Sequence, residues 1–368
     1  MKNNPKIVLF SPTLNDGGME NKTALLANQL FEQGWDVSVW VLNNESPAYS
    51  LNSGITLVDL KLKIKVAALF KFIVKALTLK PDRLVSVSTP FNALWILVKI
   101  LTGYPRKLAV SERNQLSAVV SHSTKFSDRL RPLIARTLYP HADKVLCVSE
   151  SVRADLESVS RLAEEKLVTL YNMIDLAEID LLASKPAPPA LRELPVDQPI
   201  ILAIGRLNRQ KNLGSLMKAF TVVRRKTPIK LVILGEGPLR ADLEKQAAET
   251  GFGADILLPG FDPNPFPWFQ RAEVLVLPSL YEGLPGVLLE GLAMRKKIVA
   301  TDCPGGSAEV LMDGKFGKLV PVDDSDSLAA AILSSLGEPA NLPALRDRAR
   351  DFSTQALLSK TISILSKF

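Results

Sequence analysis

The sequence predicts an α/β protein made of two doubly wound, Rossmann-like domains facing each other across a cleft. Three observations carry that expectation. Short β-rich runs alternate with longer helical stretches from the first residues onward, the pattern of βαβ units and a parallel sheet. A proline-rich stretch, Lys185-Pro-Ala-Pro-Pro-Ala-Leu-Arg-Glu-Leu-Pro195, then breaks the alternation, since neither a helix interior nor a central strand tolerates it. Beyond it the alternation restarts, and 368 residues suit two domains of about 150 residues each. The boundaries expected are 1–184 and 196–352, with a last helix over 353–368 for which packing back on the first domain is one option.

In the first domain, Lys6 to Ser11 reads as a strand, followed by a loop and a helix from Met19 to Gln33 that Gly34 closes. Further strands are expected at Asp36 to Leu42, Ile55 to Leu60, Arg83 to Ser88, Lys107 to Ser111, Lys144 to Ser149 and Leu167 to Leu170. In the second domain they are expected at Ile200 to Ile204, Lys230 to Leu234, Asp255 to Leu258, Val274 to Leu277 and Lys297 to Ala300. Helices Leu213 to Arg225 and Pro238 to Thr250 lie between them. Ligands of such sheets sit beyond the carboxyl ends of the strands, so the loops there are where function is sought.

Composition narrows the partners. The chain has 45 Lys and Arg against 38 Asp and Glu, a net charge of +7. Between Lys61 and Lys144 there are 16 basic residues against four acids, so this segment is +12 and the remainder is −5. A basic segment on an acidic remainder points to a localised anionic partner. Nucleic acid ranks last, because no helix-turn-helix, zinc signature or aromatic strand platform accompanies the charge. Cys147 and Cys303 are too far apart in sequence to suggest a disulfide framework. The apolar run Ile7 to Phe10 is too short for a signal peptide, and no run approaches the ~18 apolar residues of a spanning helix, so a cytoplasmic protein is expected. His122 and His141 read as structural, and no metal site is expected.

Three loops could carry chemistry. After the first strand, Gly17 and Gly18 precede a helix, where backbone N–H groups can approach an anion, although such a pair serves an ordinary tight turn equally well. After the first strand of the second domain, Gly205 permits close backbone approach while Arg206 and Lys211 supply cations suited to a diphosphate. The third loop is the most informative: Leu277-Pro-Ser-Leu-Tyr-Glu282-Gly-Leu-Pro-Gly-Val-Leu-Leu-Glu290 runs from a strand into a helix. Leu284, Pro285, Gly286 and Val287 surround the helix start, with Glu282 before it and Glu290 about one turn inside. Two carboxylates beside an anion-binding helix start would repel a bare phosphate, so they are read as acceptors for hydroxyl groups. A ligand with phosphates in its middle and sugars at both ends, a nucleotide sugar, fits that order.

On these residues the chain resembles the retaining glycosyltransferases of the GT-B fold, family 4. The E-x(7)-E spacing is met by Glu282 and Glu290, and the R-x(4)-K spacing by Arg206 and Lys211. Asn264-Pro-Phe-Pro-Trp-Phe269, Tyr281-Glu-Gly-Leu-Pro285 and Thr301-Asp-Cys-Pro-Gly305 resemble the branch that builds bacterial surface polysaccharides and lipid-linked glycans. The resemblance implies that Arg206 and Lys211 clamp the donor diphosphate, Glu290 holds the ribose hydroxyls and Glu282 faces the transferred sugar. It further implies amides from Gly283 to Val287 on the phosphate, Gly17 and Gly18 closing from the first domain, and the base near Phe261. It implies a UDP-sugar donor with neither cofactor nor metal, and retention of anomeric configuration. Glu112 stands at or next to the place where many relatives carry a histidine, which assigns it a donor-sugar or proton-handling role. The alternative at this place is Arg113, holding the acceptor's phosphate instead.

The segment Lys61 to Lys80 reads as an amphipathic helix. On a helical wheel Lys61, Lys65, Lys71 and Lys75 share one side, with Phe72 and Ile64 among them, opposite Val66, Phe70, Ile73, Val74 and Leu77. This predicts a helix whose lysine side meets an anionic membrane surface, Phe72 dipping in, with a second basic helix through Lys125 and Arg129 beside it. An ordinary solvated face is the alternative. The function expected is transfer of a hexose or N-acetylhexosamine to a lipid-linked or oligosaccharide acceptor, by a protein peripheral to the inner membrane. A nucleotide-sugar epimerase of the same fold and a non-catalytic nucleotide-sugar-binding scaffold are the alternatives.

Overall fold

The computed structural model describes residues 5–15, 17–44, 49–61, 68–123, 125–339 and 341–368. The chain forms two compact units, Met1–Met173 with Thr354–Phe368, and Ile174–Ser353. The first contains β1 (Lys6–Ser11), α1 (Gly18–Glu32), β2 (Asp36–Val41), β3 (Thr56–Asp59), α2 (Ala68–Leu79), β4 (Arg83–Ser86) and α3 (Thr89–Thr102). After these come β5 (Lys107–Glu112), α4 (Leu116–His122), α5 (Phe126–Arg129), α6 (Arg131–Leu138), β6 (Lys144–Cys147), α7 (Glu150–Ser160) and β7 (Leu167–Thr169).

The strands of this unit form one parallel sheet in the order β3-β2-β1-β4-β5-β6-β7, so the winding reverses between β1 and β4. β1 is buried almost throughout because both of its faces are covered. Ile7 and Leu9 join Ala27 and Leu30 of α1 on one side. On the other, Phe10 meets Phe72, Phe91 and Trp95 edge-on at 5.4–5.5 Å between ring centroids. Edge-to-face rings add about 0.5–1.5 kcal/mol per pair beyond burial alone.

The second unit opens with α8 (Leu176–Ala183) and α9 (Pro189–Arg192), followed by β8 (Ile200–Ile204), α10 (Leu213–Lys226), β9 (Lys230–Leu234), α11 (Arg240–Glu249) and β10 (Ile256–Gly260). It continues through α12 (Phe266–Arg271), β11 (Ala272–Leu277), α13 (Gly286–Ala293), β12 (Lys297–Thr301) and α14 (Ser307–Leu311). It ends with β13 (Lys318–Val320), α15 (Ser325–Gly337) and α16 (Leu342–Arg350), after which α17 (Thr354–Lys367) belongs to the first unit. The parallel order β10-β9-β8-β11-β12-β13 reverses between β8 and β11. Leu216, Phe220 and Val223 of α10 form its core with Ile233, Val276 and Ile332.

Two expectations are corrected. The boundary between units lies at Met173, ahead of the proline-rich stretch and not inside it. That stretch is anchored in the second unit by Leu191 and Leu194, which are 1% and 8% exposed. The helix expected from Lys61 onward is described only from Ala68; Lys61 follows β3 with its N–H bonded to Asp59 Oδ1, and Lys65 lies outside the described residues.

Candidate active site

In the second unit the winding reversal separates the loops that follow β8 and β11, and such a reversal opens a crevice at the strand ends. These two loops carry the residues singled out by their spacing. They are tied together by backbone and side chain: Leu280 N–H donates to the Gln210 carbonyl at 2.8 Å, and Gln210 Nε2 donates to the Tyr281 carbonyl at 2.9 Å. Lys211 Nζ then reaches Glu282 Oε1 at 2.6 Å, with the two side chains 17% and 8% exposed. Ser279 Oγ donates to the same oxygen at 2.6 Å.

This contact resolves the electrostatic difficulty raised by the sequence. A lone Glu282 carboxylate would repel phosphate, whereas one paired to Lys211 adds little net charge at the same place. The ammonium is meanwhile held at a fixed point, and fixed charge acts on a developing anion without reorganisation.

Glycines make the geometry possible. At Gly205 φ is +156°, and a Cβ there would lie 2.9 Å from Lys211 Cε, in the path of the lysine stem. Gly305 is more demanding, with φ +127° and a Cβ position only 2.0 Å from the Glu282 carbonyl oxygen. The loop through Gly305 brackets the Glu282 loop from the far side: Glu282 N–H donates to Pro304 O at 2.9 Å, and Gly306 N–H to Gly283 O at 2.7 Å.

Helix α13 begins directly after this bracket, with Pro285 as its N-cap residue and no side chain capping it. Gly283, Leu284 and Pro285 are buried, whereas Gly286 and Val287 are half-exposed at the helix start and Glu290 is half-buried within it. Arg206 is exposed. Phe261, just past β10, is 40% exposed. The second unit therefore brings Arg206, Lys211, Glu282 and the start of α13 to one end of its sheet.

In the first unit, Gly17 is the N-cap residue of α1 with φ +147°, and a Cβ there would lie 2.3 Å from Glu20 Oε2. The Glu20 carboxylate thus folds over the turn read as an anion cradle, while Gly18 is open.

Glu112 is corrected. It is 1% exposed, and both oxygens are engaged: Thr89 Oγ1 donates to Oε1 at 2.7 Å, Arg113 N–H to the same atom at 3.2 Å, and Tyr139 OH to Oε2 at 2.8 Å. Asn92 Nδ2 adds bonds to the Ser111 carbonyl at 2.9 Å and to Tyr139 OH at 3.3 Å. Burial raises the Glu112 carboxyl above its ordinary range, against the lowering effect of its hydrogen bonds. In this structure the carboxylate faces its own partners rather than an open site, and it fixes the end of β5 and the backbone from which Arg113 extends. Tyr139 lies 27 residues from Glu112, which sequence spacing could not reveal.

Phe72 is corrected as well. It is fully buried, stacked among Phe10, Phe91 and Trp95. The exposed face of α2 is the one expected inside: Phe70, Val74 and Leu77 are 71%, 44% and 46% exposed. Lys71 is exposed and Lys75 half-buried beside them. On α5 and α6, Phe126 and Leu133 are 72% and 58% exposed, with Lys125 and Arg129 also exposed. Among the described residues, no helix is long and apolar enough to cross a membrane.

Comparison with known proteins places this arrangement. Residues 16–178 match the family described as Glycosyltransferase Family 4, and residues 198–338 match Glycosyl transferases group 1. The chain is 32% identical over 254 residues to the N-acetylgalactosamine-N,N'-diacetylbacillosaminyl-diphospho-undecaprenol 4-alpha-N-acetylgalactosaminyltransferase of Campylobacter jejuni, covering 69% of this chain and 67% of that protein. It is 26% identical to the amylovoran biosynthesis glycosyltransferase AmsD of Erwinia amylovora, over 98% of this chain and 99% of that one. Among solved structures, sucrose-phosphate synthase from Thermosynechococcus elongatus superposes with a TM-score of 0.83 at 20% identity, over 99% of both chains. Anabaena HepE in complex with UDP-glucose does so with a TM-score of 0.79 at 15% identity, over 99% of this chain and all of that one. Together with its pair of parallel Rossmann-like sheets, these likenesses make the chain a GT-B protein belonging to glycosyltransferase family 4.

Proposed function

We propose that this glycosyltransferase moves a hexose or N-acetylhexosamine from a UDP-sugar to a lipid-linked saccharide at a membrane surface, with retention of configuration. The observation that carries the reading is the Lys211–Glu282 pair, held at the winding reversal of the second unit beside the start of α13. Breaking the anomeric bond leaves negative charge on the β-phosphate. Lys211, Arg206 and the N–H groups of the first turn of α13 are the groups available to stabilise it, so the reading needs neither metal nor cofactor. Glu282 accepts from hydroxyls of the transferred sugar, and Glu290 from the ribose. Phe261 stands near the base. The acceptor attacks from the face that the leaving diphosphate vacates.

The acceptor class is supported by the Campylobacter relative, whose name specifies a diphospho-undecaprenol-linked substrate. Membrane association is supported by the exposed Phe70 and Phe126 set among Lys71, Lys125 and Arg129, where aromatic side chains and cations together suit an anionic lipid interface. The deciding assay offers a UDP-sugar panel with and without a lipid-linked acceptor and follows the products by NMR and mass spectrometry. Transfer that is lost in Lys211→Ala and Glu282→Ala supports the reading. Epimerisation of the donor alone, or donor binding without turnover, would replace it.

A further inference from the structure

Two buried hydroxyls stand behind Glu282. Thr301, the last residue of β12 and 3% exposed, donates through Oγ1 to the Ser279 carbonyl at 2.5 Å. Ser279, just past the end of β11 and fully buried, donates through Oγ to Glu282 Oε1 at 2.6 Å. The relay runs from a strand, through a peptide, to one chosen oxygen of the carboxylate.

Lys211 Nζ approaches that same Oε1 at 2.6 Å. A carboxylate oxygen has two lone pairs, so the ammonium and the hydroxyl together fill Oε1. Oε2 has no hydrogen-bond partner among the described residues, and it is not sealed from solvent. The main chain beneath the carboxylate is fixed as well, because Glu282 N–H donates to Pro304 O at 2.9 Å.

This asymmetry needs a cause, since the last torsion of a glutamate is soft and its two oxygens exchange freely. Lys211 alone does not supply it: a compact charge on a flexible stem attracts either oxygen and follows the carboxylate as it turns. Ser279 differs. Its hydroxyl sits on a single rotor whose backbone Thr301 holds, so it satisfies one oxygen in one orientation.

We infer that Ser279 is a positioning residue for sugar recognition: backed by Thr301, it locks Glu282 Oε1 onto Lys211 and leaves Oε2 as the oxygen that accepts from the transferred sugar. The assignment of Oε2 to a sugar rests on the function proposed above. Glu282 then reads with one oxygen, so a single hydroxyl carries most of the selectivity rather than an adjacent pair gripped by both oxygens.

Calorimetry on the full chain tests this without an acceptor. The ligands are UDP, then UDP-glucose, UDP-galactose and their N-acetyl forms, then the monodeoxy forms of whichever sugar nucleotide binds tightest. Wild type should lose about tenfold in affinity when one hydroxyl is deleted and less than about threefold at the others. Ser279→Ala should bind the parent sugar nucleotide about tenfold more weakly, yet hold UDP and the sensitive deoxy form within about twofold of wild type. Thr301→Val should repeat that pattern with a smaller loss, and it stands in if Ser279→Ala does not fold. Undiminished binding of the parent by Ser279→Ala would overturn the inference. Equal weakening of UDP and every sugar nucleotide would do the same, being the mark of a loop that has merely lost its shape. Equal wild-type losses at two neighbouring hydroxyls would reject the one-oxygen reading. If no deletion matters in wild type, the contact between Glu282 and the sugar in the proposed function fails instead, and a crystal structure of ligand-free Ser279→Ala decides the positioning role by itself. A Glu282 carboxylate turned from its wild-type plane supports that role; an unmoved one rejects it.

Discussion

Breaking the Lys211–Glu282 pair should have a measurable cost even before substrate is added. The charged atoms are 2.6 Å apart, and both side chains are largely buried. At an effective dielectric of about 20, opposite charges at that distance attract by about 6 kcal/mol. Withdrawing both from water offsets most of this, leaving a net coupling of about 1.5–3 kcal/mol. Lys211→Ala leaves Glu282, only 6% exposed, with Ser279 as its hydrogen-bond donor, so it should destabilise the second unit by about 2–3 kcal/mol. Glu282→Ala should cost about 2 kcal/mol. The double variant should cost about as much as Lys211→Ala alone, because the second change removes a charge already unpaired. Two-unit chains need not unfold in one step, so the readout is urea-dependent hydrogen exchange on peptides from β8 and β11. Costs that simply add, with a coupling below about 0.5 kcal/mol, would refute the claim that this pair exists in solution. Activity should follow a different rule: the double variant regains stability relative to the sum but no turnover, at least about a hundredfold down like each single variant.

Three further outcomes follow from the same geometry. Gly305→Ala places a methyl group 2.0 Å from the Glu282 carbonyl at a positive φ, so thermal melting should show a loss of about 2 kcal/mol or more, accompanied by a fall in donor turnover. The Glu112 carboxyl is raised in the fold from its ordinary value near 4.5, so the folded chain holds that proton more tightly than the unfolded one. Stability from this group is complete below that value and lost as pH rises through the folded pKa; Glu112→Gln should remove that slope, and stability-versus-pH curves of equal slope would contradict it. Phe70→Ser with Phe126→Ser should abolish flotation with anionic liposomes while leaving the melting temperature within a few degrees, whereas Phe72→Ser should lower the melting temperature because it opens the aromatic core.

Much of the fold was legible because both sheets are parallel and buried, and their strands write continuous apolar runs into the sequence. The two loops of the second unit were legible for a related reason. Each joins a strand to a helix at a fixed spacing, so Arg206 with Lys211, and Glu282 with Glu290, could be found without coordinates. What escaped depends on partners remote in the chain. Helical periodicity set Phe72 among lysines, but its neighbours are Phe10 on β1 and Trp95 on α3, and only the folded sheet assembles that pocket. Glu112 read as an available carboxylate because Tyr139 and Thr89, which enclose it, come from other elements. The boundary at Met173 was hidden because prolines suggested a linker, while Leu191 and Leu194 anchor that stretch by burial. β13 is three residues long, too short to register as a period.

The most direct test is a crystal structure of the full chain soaked with a non-hydrolysable UDP-sugar. The account predicts diphosphate density against Lys211, Arg206 and the start of α13, with the sugar beside Glu282 and the ribose at Glu290. Density for the diphosphate away from the loops that follow β8 and β11 would contradict it.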